Sequence, residues 1–306
     1  MNILVVGLGS IGKKHVEAIF KICYSAKVYA LRSNIKSDVV ENVTNLYSLS
    51  EINFDLDFVI ISNISAFHEK SILEMCKFSC PLFIEKPVLN SLQNSDHIKK
   101  ELEINKIRTY VACNLRFHPA IIFLNEFLKK NKFQINEVNI YCGSYLPEWR
   151  PGVDYRKNYS ANKELGGGVQ LDLIHELDYC TWLFGFPIKS ESIKRSVSSL
   201  EIDSFDFAQF SLFYTNFLAN ITLNYFRRDS KREIEVVTSK ETIVVDLISN
   251  TLMEKISKKI LFQEKFDISE TYELQMKYFI EALKSNVKFI NDFDNSIEVL
   301  KIAICE

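Results

Sequence analysis

The run Gly7-Leu8-Gly9-Ser10-Ile11-Gly12 follows the apolar stretch 3–6 and leads into a helical pattern near residues 11–24. No other feature narrows the choice of folds so far. In a strand–loop–helix unit of this kind the first glycine permits a tight turn, the second lets backbone approach a pyrophosphate, and the third lets helix and strand pack closely. The helix N-terminus then faces the anion. The spacing alone is a weak signal, but its place at the start of a βαβ unit makes it specific. Glycine is scarce, nine in 306 residues, against an average share of about 7%. Three more stand together as Gly166-Gly167-Gly168. Glycine thus occurs mainly where the backbone demands it.

Strand and helix signals alternate through the first third. Short apolar runs at 2–7, 27–32, 57–62, 82–85 and 108–113 are separated by helical stretches near 11–24, 65–78 and 90–105. That alternation predicts a parallel sheet covered on both faces. Beyond residue 117, a helix near 118–130 precedes strand-like stretches at 135–143, 190–197, 205–214, 217–226, 231–238 and 241–247. Several are joined by short polar turns, which predicts a mostly antiparallel sheet. One long helix is expected over 166–184, and helices near 270–285 and 294–305 close the chain. The expected fold is α/β. An N-terminal Rossmann domain with a doubly wound parallel sheet spans 1–116, and a C-terminal α+β domain with a large, mostly antiparallel open sheet spans 117–306.

Composition excludes several alternatives. The chain is 47% hydrophobic and 25% charged, with 37 basic and 39 acidic residues and a formal charge of −2. A nucleic-acid binder usually carries a basic excess. No apolar run approaches the ~18 residues of a membrane span, and Met1-Asn2 enters the first strand with no charged leader. The expectation is a cytoplasmic protein without nucleic-acid or membrane partners. The seven cysteines, Cys23, Cys76, Cys80, Cys113, Cys142, Cys180 and Cys305, are odd in number and scattered. Cys76 and Cys80 have no second pair to complete a zinc site, so buried free thiols and no metal are expected.

The acid that reads the ribose about 20 residues past a dinucleotide loop is missing. Leu31-Arg32-Ser33-Asn34 ends the second strand, and the next carboxylate is Asp38. Arg32 and Ser33 occupy the place of a 2′-phosphate, with Lys36 near in sequence. NADP(H) is favoured over NAD(H).

A second signature is the strand Leu82-Phe83-Ile84 running into Glu85-Lys86-Pro87. With the glycine loop, Ser62-Asn63 and His68 after an earlier strand, Asn114-Leu115-Arg116-Phe117-His118-Pro119, and Gly166-Gly167-Gly168 followed by Asp172, His175 and Asp178, the chain resembles the Gfo/Idh/MocA oxidoreductase family. The likeness covers essentially the whole sequence. It implies a Rossmann domain and a C-terminal domain that binds substrate and whose open sheet supports a homo-oligomer, dimer or tetramer. It implies a cofactor site at Gly7, Gly9, Ser10, Ile11, Gly12, Arg32, Ser33, Ser62, Asn63, His68, Glu85 and Lys86. Catalytic roles fall to Lys86, His175 and Asp172. Lys86 maps onto the lysine of the family's Glu-Lys-Pro motif. An ammonium there, beside a positive nicotinamide, can hold a substrate hydroxyl and exchange its proton.

On a single helix, Asp172 and His175 would share a face that Tyr179 and Trp182 continue. Histidine suits a proton relay because it titrates near neutrality. The family's polyol dehydrogenases commonly show Asp-x-x-x-His, and this chain is one residue shorter, so with His175 in register Asp172 stands about 100° around the helix from the family's aspartate position. The segment Trp149-Arg150-Pro151-Gly152-Val153-Asp154-Tyr155-Arg156 with Tyr159-Ser160 looks like that of members linked to bacterial nonulosonic-acid and surface-sugar pathways. Aromatic faces suit sugar rings and arginine forks suit carboxylate or phosphate. The segment packs equally well, as sequence, against another subunit or its own sheet. Asn114, Arg116, Trp149, Arg150, Tyr155 and Tyr159 are the expected substrate contacts, and 227–232 reads as a charged hairpin tip. The expected activity is hydride transfer between nicotinamide and a ring carbon of a sugar, amino sugar or nucleotide sugar. The alternatives are reduction of an imine or conjugated double bond, and a sensor that binds dinucleotide without chemistry. Aromatics on both faces of the strand near 205–212 predict self-association through the sheet.

Overall fold

The computed structural model describes residues 1–34 and 39–305, so Lys36 and Asp38 lie outside the described residues. In chain order the elements are β1 (Asn2–Val6), α1 (Ser10–Ile22), β2 (Lys27–Leu31), β3 (Val43–Leu46), β4 (Phe58–Ile61), α2 (His68–Met75), β5 (Leu82–Glu85), α3 (Ser95–Ile104) and β6 (Thr109–Ala112). They continue with α4 (Pro119–Asn131), β7 (Ile135–Tyr145), α5 (Val169–Asp172), α6 (His175–Phe184), β8 (Lys189–Arg195), β9 (Phe207–Phe213) and β10 (Leu218–Asn224). The last are β11 (Phe226–Thr238), β12 (Thr242–Asp246), β13 (Thr251–Glu254), β14 (Ile260–Gln263), α7 (Glu270–Lys284) and α8 (Phe293–Ile304). Among the described residues no helix is long and apolar enough to cross a membrane.

The chain divides into two compact units, Met1–Asn114 with Ser269–Leu300, and Leu115–Ile268 with the residues from Lys301 on. This differs from a second domain running unbroken over 117–306. The segment 269–300 returns to the first unit because α7 carries an apolar face, Met276, Phe279 and Ile280, that joins a core with Ile19, Phe58, Phe83 and Tyr110. The Phe279 ring lies 5.0 Å from Phe58 and 5.1 Å from Phe83, both edge-on. Such pairs add to the burial of the rings themselves.

The first unit holds a six-stranded sheet in the order β3-β2-β1-β4-β5-β6, parallel throughout. Every residue of β4 and β5 is buried, as expected when both faces are covered. The strand order reverses between β1 and β4, which is where such sheets leave a crevice at the carboxyl ends of the strands. The short strand β3 (VTNL) carries too few apolar residues to stand out in sequence.

The second unit holds an eight-stranded sheet, β14-β13-β12-β11-β7-β10-β9-β8. Only β7 and β10 pair in parallel. Ile140 of β7 stands opposite Ile221 of β10 and Ile234 of β11, and Ala208, Phe210 and Leu212 of β9 are fully buried on the same side. On that side α4 packs on β12, β13 and β14, α5 on β9 and β10, and α6 on β7. Period-two burial follows, with one covered face and one more exposed face that mixes polar and aromatic residues.

Two expectations about elements are corrected. Residues 227–232 are no hairpin tip: they lie within β11, where the register against β7 shifts between Phe226 and Lys231. The chain has already crossed β7 between Asn224 and Phe226, and the extra residues after Phe226 form a bulge in β11. The helix expected over 166–184 is two helices, α5 and α6, separated at Leu173, which has φ −99° and ψ 31°. Residues Leu171, Asp172, Leu173 and Ile174 are all buried. Consecutive positions on a straight helix point 100° apart, and the break turns all four inward. Gly166 and Gly168, at φ +84° and +126°, keep the helix from starting earlier.

Candidate functional site

The loop after β1 shows three glycines with three distinct constraints. Gly7 has φ +92°, and a Cβ on it would lie 2.4 Å from the Asn63 main-chain nitrogen. A Cβ on Gly12 would lie 2.4 Å from the Gly7 carbonyl and 2.9 Å from Ser62 Oγ. A Cβ on Gly9 would meet nothing within 4 Å. Gly7 and Gly12 are therefore required by the protein itself, whereas Gly9 borders open space at the N-terminus of a thirteen-residue helix. That is the room a pyrophosphate needs in front of main-chain N–H groups, so the loop fits a dinucleotide. Ser10 is exposed and Ile11 half-buried beside it.

The end of β4 braces this loop. Ser62 Oγ donates to the Gly7 carbonyl at 2.8 Å, and Asn63 Nδ2 donates to Ser71 Oγ at 2.8 Å. Arg32 follows β2 directly, half-buried, with Nη1 3.5 Å from the Leu8 carbonyl. Ser33 is exposed, and no carboxylate occupies 31–34.

Lys86 leaves the carboxyl end of β5, half-buried. Its main-chain N–H donates to Glu85 Oε2 at 3.0 Å, and Glu85 Oε1 lies 2.5 Å from His15 Nε2. On the other side, His68 Nδ1 sits 3.0 Å from the Pro87 carbonyl and 3.2 Å from that of Val88, with Nε2 3.1 Å from the Asn63 carbonyl. Burial holds the His68 pKa below its ordinary value against the pull of those carbonyls. Glu85 and His68, expected in the cofactor site, bond the scaffold around Lys86.

In the second unit most of the expected site residues have partners within the protein. Asp172, 5% exposed, accepts from Tyr225 Oη at 2.6 Å. Tyr159 also bonds it, and the adjacent carboxylate charge is the main reason the Tyr159 phenol is pushed far up. Trp149 packs edge-on against Tyr225 at 5.3 Å and donates Nε1–H to Ser144 Oγ at 2.8 Å. Arg150 is exposed, bonds Asn158 Oδ1 and lies over the Tyr159 ring at 5.4 Å. Tyr155 Oη accepts from the Glu201 main chain at 3.3 Å. His175 begins α6, half-buried. Tyr179 does not share an open face with it, being fully buried.

Arg116 and Asn114 are buried and bond other protein groups. Arg116, 5% exposed, forms a two-pronged pair with Asp178 at 2.8 and 2.7 Å. Asn114, in the first unit, donates to Thr271 Oγ1 at 2.6 Å. Cys76, Cys80, Cys113, Cys142 and Cys180 are buried, Cys23 is half-buried and Cys305 exposed.

Sequence reasoning missed His15 and Tyr225. The one available sign for His15 was its position three residues past Gly12, on the face that buries Val16 and Ile19. Nothing in sequence marks Tyr225, which meets Asp172 from 53 residues away.

Comparison with known proteins agrees with this geometry. Residues 1–112 match the model of the oxidoreductase family with NAD-binding Rossmann fold, and residues 134–244 match that of the GFO/IDH/MocA C-terminal domain. The uncharacterized oxidoreductase YrbE of Bacillus subtilis (strain 168) is 24% identical, with 92% of this chain and 86% of that protein covered. An inositol 2-dehydrogenase/D-chiro-inositol 3-dehydrogenase of Halalkalibacterium halodurans is 20% identical over 92% of this chain and 83% of its own. Among solved structures, the WlbA dehydrogenase of Bordetella pertussis in complex with NADH and UDP-GlcNAcA superposes with a TM-score of 0.83 at 17% identity, covering 99% of this chain and 94% of that one.

Proposed function

Because the chain belongs to the Gfo/Idh/MocA oxidoreductase family, we propose that it oxidises or re-forms a ring carbinol of a cyclic polyol, amino sugar or nucleotide-linked sugar. The observation that carries this reading is Lys86. It stands at the carboxyl end of β5, in the same sheet whose β1 ends in the glycine loop, and buried partners grip the chain on both sides of it. A nicotinamide dinucleotide held on that loop supplies the hydride acceptor or donor. The neutral Lys86 amine takes the hydroxyl proton as the carbinol C–H pair leaves, so a carbonyl forms; in the reverse direction the ammonium returns that proton. His175 is assigned as the second proton carrier on the strength of its chemistry. Asp172 is assigned to holding the Tyr159 and Tyr225 phenols, since both bond its carboxylate. Trp149, Arg150 and Tyr159 supply ring faces and a cation suited to a sugar carrying negative charge. The inositol dehydrogenase relative and the neighbour that holds NADH with UDP-GlcNAcA support this substrate class.

Lys86→Met tests the assignment. Turnover should fall by ~10²–10⁴ while dinucleotide affinity stays within a few-fold, and near-normal turnover would remove Lys86 from the chemistry. The finer cofactor choice rests on Arg32 beside the loop. One charge-assisted bond to a 2′-phosphate favours NADP(H) by roughly tenfold to a hundredfold. Titration of both cofactors into the protein decides it, and equal or tighter NAD(H) binding overturns it. The outer face of the eight-stranded sheet, with Phe207 and Phe213 half-buried and Gln209 exposed, is proposed as a self-association surface. A monomeric mass at micromolar concentration in light scattering would refute it.

A further inference from the structure

His15 is fully buried, in the second turn of the helix that the glycine loop opens. Its ring is wedged edge-on between Phe83 of β5, 4.8 Å away, and Tyr272 of α7, 5.6 Å away. Nε2 meets Glu85 Oε1, and Nδ1 has no partner, so the proton of this ring belongs on Nε2, facing the carboxylate. The Glu85 side chain is 11% exposed, and its other oxygen takes the Lys86 main-chain N–H. The other residues of β5, Leu82, Phe83 and Ile84, are apolar and fully buried.

A polar pair in such surroundings is poor stabilisation. Desolvating both groups consumes most of what their attraction returns, and apolar replacements of similar volume are often neutral or better. What the pair does provide is direction, because a hydrogen-bonded carboxylate has one orientation and passes it to the Lys86 amide.

We propose that His15 is a positioning residue for Lys86. It fixes the Glu85 carboxylate, which fixes the main chain at the point where the lysine side chain departs. Since His15 also stands on the helix that receives the pyrophosphate, dinucleotide site and lysine share one rigid connection. The proposal rests on the reading of Lys86 as the proton carrier. A misplacement of about 1 Å at a reacting group can cost ~10² in rate, and that is the scale expected here.

The experiment is a double-mutant cycle of His15→Phe with Lys86→Met, with His15→Gln as the conservative variant. Phenylalanine fills the aromatic slot and removes the N–H, whereas glutamine restores a donor. In the otherwise native chain, His15→Phe should lower kcat by ~10- to 100-fold with KM within a few-fold, and His15→Gln should recover most of the loss. In the Lys86→Met background His15→Phe should cost less than about threefold, because the group it orients is gone. Equal losses in both backgrounds, or no loss in the native one, overturn the proposal. Undiminished turnover of Lys86→Met alone overturns the lysine reading instead. A second arm needs no substrate and also serves if His15→Phe does not fold, with Glu85→Gln in its place. The rate of Lys86 acetylation by acetic anhydride, followed by mass spectrometry, should change by about threefold or more relative to exposed Lys70. An unchanged Lys86 rate overturns the proposal.

Discussion

Around the loop after β1, Gly9 faces open space, Ser10 and Ser33 are exposed and Arg32 is half-exposed. Around α5 and α6 the polar groups close on one another. Asp172 accepts from Tyr225, Arg116 grips Asp178, and Glu176 meets Arg232 at 2.7 Å with Glu176 fully buried. The first arrangement leaves donors for something that is not protein, and the second spends its charged groups on one another within the fold. A residue expected at the site from sequence thus has one of two fates. Substitution at Gly9, Ser10, Arg32 or Ser33 should damage binding and spare stability, and substitution within the buried pairs of the second region should damage stability first.

The largest effect that sharpens this contrast is Asp178→Asn. It leaves the buried Arg116 guanidinium without its counter-charge, and truncating one partner of such a pair costs ~3–5 kcal/mol. Urea unfolding measures it, and a loss below about 1 kcal/mol would mean that the pair behaves as a surface pair.

Next is acid sensitivity in the second unit. Burial, with the Arg232 charge adding to it, pushes His118 down to about 4 from its ordinary 6.5, while its Nε2 bond to the Leu247 carbonyl opposes the shift. Between those values the unfolded chain holds the proton and the folded one does not. Stability is therefore complete above pH 6.5 and falls as pH drops toward 4, at up to ~1.4 kcal/mol per pH unit. His118→Gln should flatten this slope in urea midpoints taken from pH 7 to 4, and an identical slope would assign the loss to other groups.

The smallest expected effect is the most selective. Gly9 has φ −82° and ψ −163°, which any residue adopts, so Gly9→Ala should leave stability within about 0.5 kcal/mol. Dinucleotide affinity should nonetheless drop about tenfold, ~1.4 kcal/mol, because the methyl enters the ligand's space. Cofactor titration beside thermal melting reads both. Lost stability with unchanged affinity would erase the distinction between the two regions.

Local rules made the first unit legible. The spacing of the three glycines and the apolar strands between helices are patterns of a few residues, and they mark the loop, the strand ends and Lys86 in sequence alone. The second unit was legible as a sheet through its period of two, but its helix was misread, because periodicity over 166–184 does not register that four consecutive residues are drawn inward.

By itself, then, the sequence determined a dinucleotide loop on a parallel sheet, a lysine at the end of β5 and a second, mostly antiparallel sheet. Only the tertiary structure decided which polar side chains remain available. His15 meets Glu85 across 70 residues, Arg116 meets Asp178 across 62, and Asp172 meets Tyr225 across 53. Propensity and spacing act over one or two turns of chain, whereas the cancellation of a buried charge depends on whatever the fold brings beside it.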